Sequence, residues 1–222
     1  MHIEPGYIAQ AKVIAANVSA IGVLALYAKS MIQNPITIFP TTVKTLLAAV
    51  FFSIFMQSFH MSIGPSELHF VGASAMYMTL GFLPTLFGFA LGLLLQGLLF
   101  EPADLPHLAV NALSLITPLI AVHYAFGRKF FEGSLKMRVS WASILKFDAA
   151  YYGGVTGMVG FWLFIGQVET PFVAWATFAS SYLAIVALEP IVTYGLVKLL
   201  KANEGSFVIS RFFSVGSLSL SK

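Results

Sequence analysis

PTLFGFALGLLLQGLLF, residues 84–100, contains no Asp, Glu, Lys or Arg over its 17 positions. Wound as a helix at about 1.5 Å per residue it is about 25 Å long, which approaches the hydrocarbon thickness of a bilayer. Gly88 and Gly92 within it have the small-xxx-small spacing that lets membrane helices pack closely, a pattern common enough to say nothing more. The rest of the chain has the same character. Of its 222 residues 58% are hydrophobic and 9% charged, where a soluble domain carries about a quarter of its residues as charges. Mean hydropathy is +0.86. Twelve Lys and Arg with nine Asp and Glu cannot solvate a globule of this size, so the solvent is lipid. The expected fold class is all-α, a polytopic integral membrane protein. The net charge of +3 comes with no basic run longer than Arg128-Lys129, and we read it as membrane topology and not as nucleic-acid binding.

Polar punctuation divides the chain into about seven transmembrane helices, over 7–30, 38–60, 67–82, 84–100, 106–127, 141–165 and 171–201. The first contains Lys12, Asn17 and several small residues, which predicts a helix surrounded by protein. The third is too short to cross a ~30 Å core. Residues 1–202 are expected to form one transmembrane domain that includes the N-terminal segment, and 203–222 a polar, Ser-rich tail. With the N-terminus outside and the C-terminus cytoplasmic, the inner loops collect Lys29, Lys44, Arg128, Lys129, Lys136, Arg138, Lys198, Lys201 and Arg211. The outer loops then hold Glu67, Glu101, Asp104 and Glu169 with no Lys or Arg.

The absence of cysteine excludes disulfides, thiolate metal sites and iron–sulfur clusters. Met-His-Ile-Glu-Pro-Gly lacks the regions of a cleavable signal, so Met1 is expected to keep a free α-amine. That amine, the backbone nitrogen of His2 and its Nδ1 form adjacent five- and six-membered chelate rings, leaving the fourth corner of a square open. A deprotonated amide nitrogen suits Ni(II), Cu(II) and Co(II) better than Zn(II) or Mg(II). A plain exposed His2 is the competing reading. His2, His60 and His69 all fall on the outer side, where His107 begins the fifth helix; His123 lies near the inner end. Ser66 reads as an N-cap with Glu67 and Leu68 in the first helical turn, which places His69 near the start of a helix sunk below the outer surface. His69 is thus either the fourth nitrogen or an anchoring residue.

Met-His-Ile-x-x-Gly at 1–6, Ser-x-x-His-x-x-Gly at 66–72, Asn111 in the fifth helix and Glu-x-Ile-x-Thr at 189–193 together resemble the substrate-binding permease subunits of energy-coupling-factor transporters for cobalt and nickel, the CbiM/NikM group. The resemblance implies a metal held by Met1, His2 and His69 as transported substrate, with no resident cofactor. It also implies a transmembrane coupling subunit and two cytoplasmic ATPases as partners, joined in some systems by a small auxiliary membrane subunit, in the inner or plasma membrane of a bacterium or archaeon. His60 stands outside the pattern as a further metal candidate, gate or interfacial residue.

Glu189, followed by Pro190, is an intramembrane carboxylate that needs a proton or a partner, and Lys12 is the candidate counter-charge; Asp148 is a further charged exception. Asn111, Asn17 and Gln57 are expected to orient the N-terminal segment, as the outer partners of metal ligands do. Without a Walker A sequence, HExxH or a nucleophile elbow, the chain reads as a transport subunit and not an enzyme. The alternative is a haem-ligating or other redox or assembly subunit of a membrane complex.

Overall fold

The computed structural model describes residues 3, 6–33, 35–63, 66–131 and 137–221. Among these, the long helices are α1 (Gln10–Ile32), α2 (Pro35–Ser58), α4 (Phe82–Leu99), α5 (Leu108–Ala125), α6 (Trp141–Phe164) and α7 (Phe172–Ala202). Two short helices are α3 (Ala73–Leu80) and α8 (Phe207–Phe212), and one antiparallel hairpin pairs β1 (His60–Ile63) with β2 (Ser66–His69). Among the described residues five helices are long and apolar enough to cross a membrane: α1, α2, α4, α5 with the turn before it, and α7. The protein is a multi-pass membrane protein. α6 has the length, but Lys146, Asp148 and its glycines dilute its hydropathy.

The expected helix over 67–82 is a correction. Residues 66–69 are a strand, so Ser66 is no N-cap and His69 lies on a hairpin; helix begins only at Ala73. β2 ends at His69, and Gly72, the residue before α3, has a φ of +67° in the left-handed region. A Cβ there would also sit 2.2 Å from Cδ2 of Phe55. The register sets His60 opposite His69.

All eight residues of α3 are buried, so this half-length helix is the axis around which α2, α4, α6 and α7 pack. A buried helix end needs partners for its free N–H and C=O groups. At the N-terminal end the Glu189 carboxylate, from α7, accepts from the Ser74 N–H at 2.8 Å. At the other end the Ser214 N–H and hydroxyl donate to the carbonyls of Thr79 and Leu80, at 2.6 and 3.0 Å. The chain after Ala202 therefore folds back on the bundle: Val215 and Leu218 are buried, and Val139 bridges to Leu220.

α2 and α4 make the most extensive helix pair. At Gly88 and Gly92 a Cβ would come within 2.4 Å of Ala48 and Phe52, so the two glycines admit α2 to close range. By contrast, α1 buries only Ala16 and Ala20 fully and leaves Ile14, Val18, Ile21 and Leu26 exposed. The expectation of a helix surrounded by protein is not met within this chain, because α1 packs on α5 and α2 along a narrow stripe.

Candidate metal centre

β2 delivers His69 into the bundle, 2% exposed. Its Nε2 stands 3.0 Å from Oε2 of Glu67 and its Nδ1 3.5 Å from the Met56 carbonyl. Both ring nitrogens of His69 thus have an oxygen acceptor near them. His60, opposite on β1 and exposed, lies roughly parallel to the His69 ring with centroids 6.1 Å apart.

Ile3 lies on the other side of β2. It is fully buried, bridges antiparallel to Ser66, donates its N–H to Oδ1 of Asn111 at 3.1 Å, and has its carbonyl 3.2 Å from Nδ1 of His107. Two residues from the start of α5 thus grip both polar groups of one backbone residue next to the strand that bears His69. Further on, Gln167 closes over the same segment: its side chain donates to the Gly6 carbonyl at 2.7 Å and its N–H to the Tyr7 carbonyl at 2.9 Å. Met1 and His2 themselves lie outside the described residues, as do Glu4 and Pro5.

The remaining candidates separate. Glu189 is fully buried and its two oxygens accept from Ser74 and from the Tyr152 hydroxyl. Lys12 is not its counter-charge: the ammonium is exposed on α1 and donates to the Ile165 carbonyl at the end of α6. The pairing fails because Lys12 and Glu189 sit on helices that do not pack together. Gln57 also departs from expectation, since it donates to Gln96 at 3.0 Å and links α2 to α4. Asn17 is exposed on α1, along a cleft that also touches Gly6 and His107. His123 bonds the Tyr77 hydroxyl at 2.8 Å and stacks on Phe82, away from the hairpin. His107 is a residue that sequence reasoning passed over; its one signal was a His beginning the helix that carries Asn111. Among the described residues no three His, Asp or Glu side chains converge on a common point.

Residues 2–206 match the family model described as CbiM, cobalt uptake substrate-specific transmembrane region. Two solved structures have a similar fold. One, described as a transition metal transporter, aligns with a TM-score of 0.71 at 20% identity over 96% of this chain and 97% of its own. The other, described as a truncated transition metal transporter, aligns at 0.65 and 20% identity over 89% of this chain and 99% of its own. None of the curated proteins matches the sequence.

Proposed function

The chain belongs to the CbiM family of cobalt-uptake substrate-specific transmembrane proteins, and from that premise we propose that it captures Co(II) or Ni(II) in a nitrogen site made by its N-terminus and His69. The donors are the Met1 α-amine, the backbone and Nδ1 nitrogens of His2, and Nε2 of His69. The observation that carries this reading is the grip on Ile3. Asn111, His107 and Ser66 fix the residue that follows His2, and Ser66, its bridge partner, lies three residues before His69 on β2. Two residues at about 3.5 Å each are enough to bring the α-amine to that part of β2.

Each donor in this set is neutral or becomes anionic by losing a proton, so metal capture releases protons. A planar set of four nitrogens with one deprotonated amide selects ions that favour tetragonal fields over Mg(II), Ca(II) and Zn(II). His60, stacked over His69, covers the approach to the site as an entry ligand. Asn111 and His107 hold the N-terminal strand in place and do not touch the ion.

The ion is the substrate. The hairpin, the N-terminus and the acidic residues Glu67, Glu101, Asp104 and Glu169 face outward, and the basic residues face the cytoplasm. Energy comes from a coupling subunit and ATPases in the same plasma or inner membrane. Arg128, Lys129 and Arg138 and the folded-back C-terminal segment form the surface these subunits meet.

The deciding experiment is Co(II) and Ni(II) binding by the purified protein with its native N-terminus and with a few residues added before Met1. The extension converts the α-amine into an amide. Binding is expected to disappear while thermal unfolding stays unchanged, and equal binding by the extended protein would overturn the amine-based site.

A further inference from the structure

Beneath the hairpin, α3, α6 and α7 enclose polar groups that the nitrogen site does not use. Glu189 is satisfied: the Ser74 N–H, the Ser74 hydroxyl at 3.1 Å and the Tyr152 hydroxyl all donate to it. Asp148, one turn before Tyr152 on α6, is also fully buried and lies beside Ser74 and Glu189. Yet neither of its oxygens has a hydrogen-bond partner among the described residues. The buried hydroxyl of Tyr151, three residues from Asp148 on α6, is likewise without a hydrogen-bond partner among the described residues. Unmet polar groups are rare in native interiors, and a buried carboxylate without a partner, beside a second carboxylate, marks a place that a ligand can fill.

Among the described residues no side-chain cation pairs with either carboxylate. α3 has no titratable cation. On α6, Lys146 is exposed and lies over the Phe126 ring at 4.8 Å. On α7, Lys198 is exposed and Lys201 pairs with Glu204. His69 and Glu67 on β2 are engaged with each other, and His123 is bonded to Tyr77, about one turn further along α3 than Ser74. Two carboxylates carry a formal charge that one divalent ion balances. Carboxylate and hydroxyl oxygens suit Mn(II), Mg(II) and Ca(II), and hold Co(II) or Ni(II) more weakly than nitrogen does.

We propose that Asp148 and Glu189, with the hydroxyl of Tyr151, form a second, all-oxygen site for a divalent cation, which the transported ion occupies after leaving the nitrogen donors. The part about the transported ion rests on the function proposed above; the site does not. Its position fits a step inward. Tyr182 stands beside the His69 backbone, its ring stacks on Tyr152 at 5.2 Å, and Tyr152 meets Tyr151 at 5.1 Å. From Tyr182 to Glu189 is two turns of α7, about 10 Å. A weaker site at that depth lets an ion enter and still leave, as passage through a membrane requires.

The test uses Mn(II), which oxygen donors accept and a deprotonated-amide cage does not, with the full chain in lipid nanodiscs and free Mn(II) read by electron paramagnetic resonance. The wild type is expected to bind one Mn(II). Asp148→Asn should weaken that binding by on the order of 100-fold and Tyr151→Phe by about tenfold, with Co(II) affinity at the N-terminal site unchanged. Asp148 has no partner to lose, so Asn at this position should leave thermal unfolding unchanged or raised. Mn(II) binding that is equal in wild type and Asp148→Asn, or absent from the wild type at millimolar ion, overturns the proposal. Mn(II) binding that depends on Asp148 in a protein that takes up no Co(II) upholds this site and overturns the nitrogen site instead.

Discussion

At His69 both ring nitrogens face acceptors, Glu67 on one side and the Met56 carbonyl on the other, and the ring is closed off from solvent. Replacing His69 with Ala removes the one donor that the chain interior supplies to the proposed nitrogen site. Co(II) affinity is expected to fall by at least about 100-fold in a titration, whereas His60→Ala, which removes an exposed ring stacked over the site, should cost about tenfold or less. The pH response has a definite sign. In water an α-amine titrates near pH 8 and an imidazole near 6.5, and protons compete with the metal at both, so affinity should rise steadily between about pH 6 and pH 8. A pH-independent affinity would mean that the ion is held by carboxylates. His69 and Asn111 were legible in the sequence because a motif spaced them. His107 was not, since a His at a helix start resembles an interfacial anchor until the chain it grips is in view. The pairing of Lys12 with Glu189 failed for a related reason. Charge complementarity along the chain says nothing about which helices pack together, and α1 and α7 do not.

Among the elements, the hairpin, which bears His69 of the proposed site, and α3 are where the sequence misled most. Ser66-Glu67 has the composition of a helix start, and four-residue strands are too short for an alternating pattern to outweigh it. Their pairing is decided by neighbours distant in sequence, Ile3 and Phe55 among them. The long apolar helices needed no such help: α2, α4, α5 and α7 begin and end within a few residues of the expected limits. Gly72 is the residue before α3, and Ala there meets two penalties at once. The left-handed backbone costs about 1–2 kcal/mol for a residue with a Cβ, and that Cβ would press on the Phe55 ring. Gly72→Ala should therefore lower thermal stability and also weaken Co(II) binding, because β2 ends three residues upstream with His69. Unaltered metal affinity in a destabilised Gly72→Ala protein would show that the hairpin is positioned from the Ile3 side alone.

For the molecule as a whole, polar groups are placed where a bundle in lipid would otherwise leave backbone unpaired. α3 stops partway through the bundle, so its last carbonyls emerge among buried side chains and not in water. Ser214 reaches them from the far end of the chain, and Lys44 in turn donates to the Ser214 hydroxyl at 3.1 Å. Composition marked residues 203–222 only as polar and Ser-rich, and a serine that serves as a cap looks like any other until the helix end it meets is known. Deleting the chain after Ala202 should expose the carbonyls of Thr79 and Leu80 without partners. Each unsatisfied buried group costs about 1–3 kcal/mol, and Val215 and Leu218 lose their burial as well, so a loss of about 2–5 kcal/mol is expected. Hydrogen exchange should rise first in residues 76–82. The hairpin lies at the opposite end of α3, so Co(II) affinity in the surviving folded fraction should change by less than about threefold, a small coupling on the scale of linked sites. Retained stability and unchanged exchange in the truncated protein would mean that water or lipid headgroups satisfy the end of α3 as well as Ser214 does.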